Sequence, residues 1–291
     1  MDPEPEGALR PSRREALAGL AAAGALPACS RAADLRNVQG RTVDMAPPAT
    51  DAAPWIAYER RLRARLADAA GGRFDAETER AVLAATNNAR ASTGAAPLAW
   101  HEELALAARA HAADLASRGV VAHVDEQGFD PSHRFWLLAR RTVGSPSENI
   151  AYHRGPDPAS AGHLMETWRK SPQHWKNLLR PSHTHAAFGL VRLKDRSYLV
   201  GLYQAPVTQF AHALPFRPAA EAEVRRRLEA LPGGLSARIE PPEGARSAFG
   251  EAQVVQAMVR QDVGQGRYRL IGGPIFLAPA DMQPIHLMGE T

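Results

Sequence analysis

The spacing of apolar residues along the chain changes from helical to extended and back. Trp55, Ile56, Leu62, Leu66 and Ala69 recur at helical intervals in an Arg-rich stretch that Gly71-Gly72 ends, predicting a helix over 55–70. Asp75 is placed as an N-cap, with Thr78 and Glu79 in the first turn, and predicts a second helix to about Ala91. Gly94 and Pro97 then break the chain. Leu104, Ala108, His111, Ala112 and Leu115 mark a third helix over 102–117, closed by Gly119. The segment from there to Glu148 reads as loop, and a fourth helix is predicted over 158–169. Residues 188–193 and 197–203 read as strands, with Lys194-Asp195-Arg196 between them as a hairpin connection. Further on, residues 217–231 carry a helical pattern. Residues 268–271 and 274–277, with Gly272-Gly273 between, read as a second hairpin.

The N-terminal pattern is different. Ser12-Arg13-Arg14 precedes an apolar run from Ala16 to Ala28, which ends in Leu26-Pro27-Ala28-Cys29. Arginines, a short apolar stretch and a small-residue site form an export signal. The first part resembles a bacterial twin-arginine signal, and Leu-Pro-Ala-Cys resembles a lipobox, whose cysteine is acylated after cleavage. The run is 13 residues long, too short to span a bilayer as a helix. The expected anchor is therefore lipid on Cys29, each buried CH₂ contributing about 0.8 kcal/mol. Residues 1–28 are read as signal and 29–53, with Pro47-Pro48, as tether. The expected location is the periplasmic or extracellular face of a bacterial membrane.

Composition narrows the class. Cys29 is the single cysteine, so no intrachain disulfide supports the fold. About 260 residues follow it, enough to bury a core. The net charge is +4 and all but three of the 35 cations are Arg. These cations are scattered, with no basic stripe interleaved with aromatics, which argues against a nucleic-acid partner. Arg225-Arg226-Arg227 reads as a solvated helix face. Nucleophile elbows, His-Glu-x-x-His and Gly-rich phosphate loops are all missing from the sequence.

A set of motifs lies in order between Asn87 and Tyr203. They are Asn87-x-x-Arg90-x-x-x-Gly94 with Pro97-Leu98-x-Trp100, Leu104-x-x-x-Ala108-x-x-His111-Ala112, and Ala122-His123 with Gly128 and Arg134. Ser147-Glu148-Asn149-Ile150-Ala151, Trp168-x-x-Ser171-Pro172-x-His174-x-x-Asn177-Leu178-Leu179 and Gly189 follow. Together they resemble the CAP superfamily (cysteine-rich secretory proteins, antigen 5, pathogenesis-related proteins), and most closely its cysteine-free bacterial branch. The resemblance implies an α+β fold: an α-β-α sandwich around a small antiparallel sheet. On that basis the CAP-like domain with its leading helix spans 54–205, and 206–291 is an α+β extension packed on it. The resemblance also implies that His123, Glu148 and His174 meet at one site. Many relatives carry a second Glu three residues after the tryptophan, where this chain has Ser171; Asp125 is a candidate for the missing charge.

Two imidazoles and a carboxylate suit Zn²⁺ or another divalent metal with an open position, and they suit proton transfer equally. They also suit a polar cluster that only fixes loops. Among the other histidines, His111 is read as hydrogen-bonded structure. His183 and His185 are read as exposed, and His101, His133, His153, His163, His212 and His286 lack a partner pattern. Trp168 and Trp175 are read as core and rim packing, and Asn177 as structural.

Three functions follow from these readings. The leading one is a lipid-anchored binding module for a small apolar ligand or a cell-envelope component. The others are a metal-dependent hydrolase using the His/Glu cluster and a structural or interaction protein with an inert groove. The residues leave ligand and oligomeric state open. The anchor makes a direct prediction: Cys29→Ala should move the protein from the membrane to the soluble fraction or leave an unprocessed precursor. Unchanged fractionation together with unchanged mass would exclude the lipid.

Overall fold

A computed structural model describes residues 52–206, 208–217, 221–229, 236–240, 253–260 and 268–277. The signal, Cys29 and the tether lie outside the described residues, apart from its last two positions.

Helix α1 (Ala52–Asp68) ends in a 3-10 turn in which the Asp68 carboxylate accepts from Ala70 N–H. Strand β1 (Arg73–Phe74) leads into α2 (Ala76–Ala91), which Asp75 caps by accepting from Thr78 N–H. Strand β2 (Ala99–Trp100) precedes α3 (Glu102–Arg118), which stops at left-handed Gly119. The stretch expected as loop contains α4 (Pro131–Leu138), where Asp130 and His133 cap one another's backbones and Pro131 opens the first turn. Next come β3 (Thr142–Val143), β4 (Ser147–Arg154), α5 (Ala161–Arg169) and α6 (Pro172–Leu178). The start of α5 lies three residues after the expected 158 because Ser160 is the cap. Strands β5 (His185–Leu193) and β6 (Arg196–Gln204) form the expected hairpin, with Lys194 at φ +54° in the turn.

The main sheet runs β1-β5-β6-β4, antiparallel along this path, with β2 adding a short parallel pair on β5. Strand β4 is therefore an edge. Strands β5 and β6 are buried almost throughout, because both faces carry helices. Ala187, Val191, Tyr198, Val200 and Leu202 pack with α1, α3 and α4. Ala186, Phe188, Leu190, Leu199 and Tyr203 pack with α2, α5 and α6. Adjacent strand residues go to different layers because side chains alternate across a sheet. The result is the expected α+β sandwich.

Backbone proximity fixes one layer. Seven alanines of α3 are buried, so this helix comes very close to the sheet. At Gly189 a Cβ would lie 2.2 Å from the Arg109 nitrogen and 2.3 Å from the Ala108 carbonyl carbon. In the other layer Arg90 is fully buried and donates to the carbonyls of Ala96, Leu178, Arg180 and His183. It ties the end of α2 to the segment after α6. Asn87 secures the intervening loop by donating to Leu98 O and accepting from Leu98 N–H.

Beyond β6, strand β7 (Thr208–Gln209) pairs with β3. Helix α7 (Glu221–Glu229) precedes a three-stranded sheet of β8 (Ser236–Glu240), β9 (Gln253–Arg260) and β10 (Tyr268–Leu277), in the order β10-β9-β8. The second hairpin expected around Gly272-Gly273 is instead one strand. Both ends of β10, Tyr268–Leu270 and Pro274–Leu277, pair with β9, and the register shifts between them. Paired glycines accommodate a bulge as readily as a turn, and a long enough partner strand decides for the bulge. Buried Arg140, just past α4, donates to the carbonyls of Leu214, Pro215 and Pro274, so β10 meets the helical layer there. Among the described residues no helix is long and apolar enough to cross a membrane.

Gly189→Ala should destabilise the protein by at least about 1–3 kcal/mol, because neither backbone can retreat without opening the core. Chemical denaturation measures this. An unchanged midpoint would contradict the close approach of α3.

Candidate functional site

Edge strand β4 presents Glu148 and Asn149 to opposite layers, as alternation requires. Glu148 reaches the α3/α4 layer and its side chain is 2% exposed. One oxygen, Oε2, accepts from Arg134 Nη2 at 2.9 Å, and Oε1 lies 2.8 Å from His123 Nδ1 and 3.9 Å from His111 Nε2. Arg134, in α4 and equally buried, also donates to the carbonyls of Phe129 and His123. One guanidinium thus holds both the carboxylate and the loop that carries His123.

Burial alone would raise the Glu148 pKa. The Arg134 charge, His111 and the His123 hydrogen bond outweigh burial and lower it to about 2. A carboxylate ionised at every working pH only accepts, so His123 Nδ1 donates the proton. In the neutral form of the ring the lone pair is then on Nε2, and the side chain is half exposed. His111 is held neutral: burial, then the Arg134 charge, lower its pKa to about 3. Its Nε2 donates to Ala122 O at 2.9 Å.

Asn149 works in the other layer. Its Nδ2 donates to the backbone carbonyl of His174 at 2.9 Å, and its Oδ1 accepts from Asn177 at 3.0 Å. These bonds hold α6 against β4. His174 is partly buried, and burial, then the charge of His123, lower its pKa. The His123 and His174 ring centroids stand 6.4 Å apart. Two imidazoles from two layers therefore stand near one another beside the edge strand, the His123 ring bonded to Glu148 and the His174 backbone to Asn149.

Several sequence expectations change here. Asp125 does not reach the pair. Its carboxylate is buried, accepts from the backbone N–H of Gln127 and Phe129, and is paired with Arg61. A short loop closed by Gly128 needs those acceptors itself. His183 is buried, not exposed. Its Nε2 lies 3.3 Å from Asn177 Oδ1 and 3.2 Å from Ser147 Oγ, and burial, with Arg180 and Arg90 nearby, lowers its pKa to about 4. His185 is half-buried at the start of β5. Ser171, where relatives have Glu, is the N-cap residue of α6. Trp168 is core, Trp175 lies under the Arg169 guanidinium, and Asn177 is a buried structural bonder to side chains. Among the described residues no group of three or more His, Cys, Asp or Glu is placed to hold a metal ion. The sequence marked Arg134 only as part of a motif; nothing in its spacing announced an ion pair with a residue fourteen positions on.

Residues 83–203 match the profile of the CAP family, the cysteine-rich secretory protein family. The chain carries a CAP domain. Similar solved structures include an outer surface protein from Borrelia burgdorferi, at 16% identity and TM-score 0.41, over 45% of this chain and 96% of that one. Another is an extracellular protein containing an SCP domain from Bacillus anthracis, at 20% identity and TM-score 0.37, over 45% and 41%. A cysteine-rich secretory protein from Staphylococcus aureus aligns at 16% identity and TM-score 0.27, over 45% and 39%. The aligned part is nearly all of the first protein and less than half of the other two. A search of curated proteins finds no match.

The buried charges of the CAP domain set its acid stability. Glu148 is depressed from 4.5 to about 2, so its contribution is complete above 4.5 and is lost as pH falls towards 2. His111 is depressed from 6.5 to about 3, so the unfolded chain gains a proton below 6.5 that the folded one refuses, and stability falls over that window. Melting temperature should therefore decline steadily from pH 6.5 downward. Glu148→Gln, which leaves Arg134 buried without its counter-charge, should cost about 3–5 kcal/mol and flatten the profile below pH 4.5. A wild-type profile level between pH 7 and 4 would contradict this electrostatic assignment.

Proposed function

We propose that this CAP-domain protein is exported, is held at a membrane face by acyl chains on Cys29, and acts as a binding module centred on His123 and His174. One observation carries the reading: His123 is half exposed while its Nδ1 is fixed by a buried carboxylate that Arg134 neutralises. This is the support that carboxylate-backed metal-binding imidazoles receive, and it turns the Nε2 lone pair outward. His174, 6.4 Å away between ring centroids, supplies the second imidazole. The donor set fits Zn²⁺ or a similar divalent cation, with His123 and His174 as ligands, Glu148 as orienting group and solvent or ligand in the remaining positions. Bound there, the cation would supply a Lewis-acidic contact for an oxygen of the ligand. The proposed ligand is a small apolar molecule or a cell-envelope component.

The hydrolase reading is weaker for a specific reason. A general base works best with a pKa near the operating pH, and Glu148 lies near 2. Proton transfer would fall to the imidazoles of His123 and His174.

In the binding reading, His123→Ala with His174→Ala should lower Zn²⁺ uptake by one ion per chain in calorimetry and leave circular dichroism unchanged. Mass spectrometry of the native protein should find a co-purified ligand that this variant retains poorly. Uptake unaffected by the double substitution would remove the metal from the proposal. Divalent-dependent turnover, lost in the same variant, would replace binding by hydrolysis.

A further inference from the structure

A second pair of histidines lies elsewhere on β4. His153 sits near the end of the strand and His163 in the first turn of α5. Their facing nitrogens, His153 Nδ1 and His163 Nε2, are 3.1 Å apart, with ring centroids at 4.5 Å and planes at 74°. His163 is exposed and His153 partly so. The pair is distinct from the first site. His153 is five residues from Glu148, about 16 Å along a strand at about 3.3 Å per residue, and the odd spacing puts it on the opposite face.

The proton positions follow from one contact. His153 Nε2 lies 3.3 Å from Asp157 O. A carbonyl only accepts, so Nε2 carries the proton and Nδ1 presents its lone pair to His163. Two imidazole nitrogens bound to one tetrahedral cation at about 2.0–2.1 Å stand about 3.3 Å apart. The observed 3.1 Å is within a few tenths of that bite. The N–H···O=C bond behind His153 is the outer support usual for ligating imidazoles. Two further features hold the geometry. Ser160 Oγ accepts from His163 N–H, fixing the turn. A Cβ at Gly155 would come within 2.9 Å of His153 Nε2, so only the bare glycine leaves the ring its place.

We propose that His153 and His163 form a separate binding site for a divalent transition-metal ion of the Zn²⁺ class, with solvent completing its coordination. The ion takes the lone pairs of His153 Nδ1 and His163 Nε2. The proton on His163 Nε2 transfers through water to Nδ1 of the same ring, so both imidazoles remain neutral and no net proton is released.

The test uses the full chain with Cys29→Ala, which removes the only thiol, and His123→Ala with His174→Ala, which removes the other imidazole pair. Zn²⁺ is titrated by calorimetry at neutral pH, and histidine ring resonances are followed by NMR. The expected result is one ion per chain, with shifts confined to the His153 and His163 rings, and at least tenfold weaker binding on adding His163→Ala. His163 is exposed, so circular dichroism should not change. Absence of Zn²⁺ uptake at millimolar concentration would overturn the proposal, as would uptake that leaves the two rings unshifted or that His163→Ala does not weaken. Because the first pair is absent from the test protein, failure here leaves the His123–His174 reading untouched, and the reverse also holds.

Discussion

The ion pair between Arg134 and Glu148 is buried on both sides, and neither partner has water to return to. Removing one charge would strand the other in the core, which makes the pair an all-or-nothing constraint. The same guanidinium donates to two further acceptors, the carbonyls of Phe129 and His123, so the pair also closes the loop between α3 and α4. The position of His123 follows from it. Its carbonyl accepts from Arg134 and its ring donates to Glu148, so both ends of the residue are referred to one buried charge pair.

That pair can form only because the layers are thin and close. The alanine face of α3 and the missing side chain at Gly189 let the helix backbone touch the sheet. His111, on the same helix, thereby comes within 3.9 Å of the Glu148 carboxylate. On the other side Arg90 gathers four carbonyls and so sets where the segment after α6 runs. Each cluster holds a layer at the height at which His123 and His174 meet across the edge of β4.

The carboxylates near this edge are already committed. Glu148 is fully ionised and already partnered on both oxygens, and Asp125 is committed to its own loop and to Arg61. Ser171, the N-cap residue of α6, adds no carboxylate. What remains beside the edge strand is a pair of imidazoles, one of them held through Nδ1 by Glu148.

The sequence by itself determined much of the fold. Asp75, Gly119 and the 188–203 pattern marked elements correctly because caps, left-handed turns and period-two alternation are local effects. The order of motifs was enough to name the family and the residues His123, Glu148 and His174. Local reasoning failed where the deciding partner was distant. Helix α4 is only eight residues long, and its reciprocal Asp130–His133 cap lay in a stretch with little apolar periodicity. Gly272-Gly273 reads as a turn until β9 supplies partners for both ends of β10. His183 and Asp125 looked exposed or available until Asn177, Ser147 and Arg61 were brought beside them. The sequence determined which side chains can carry charge, protons or metal. The tertiary structure alone decided which carboxylates were already neutralised, because that depends on distances between residues far apart in the chain.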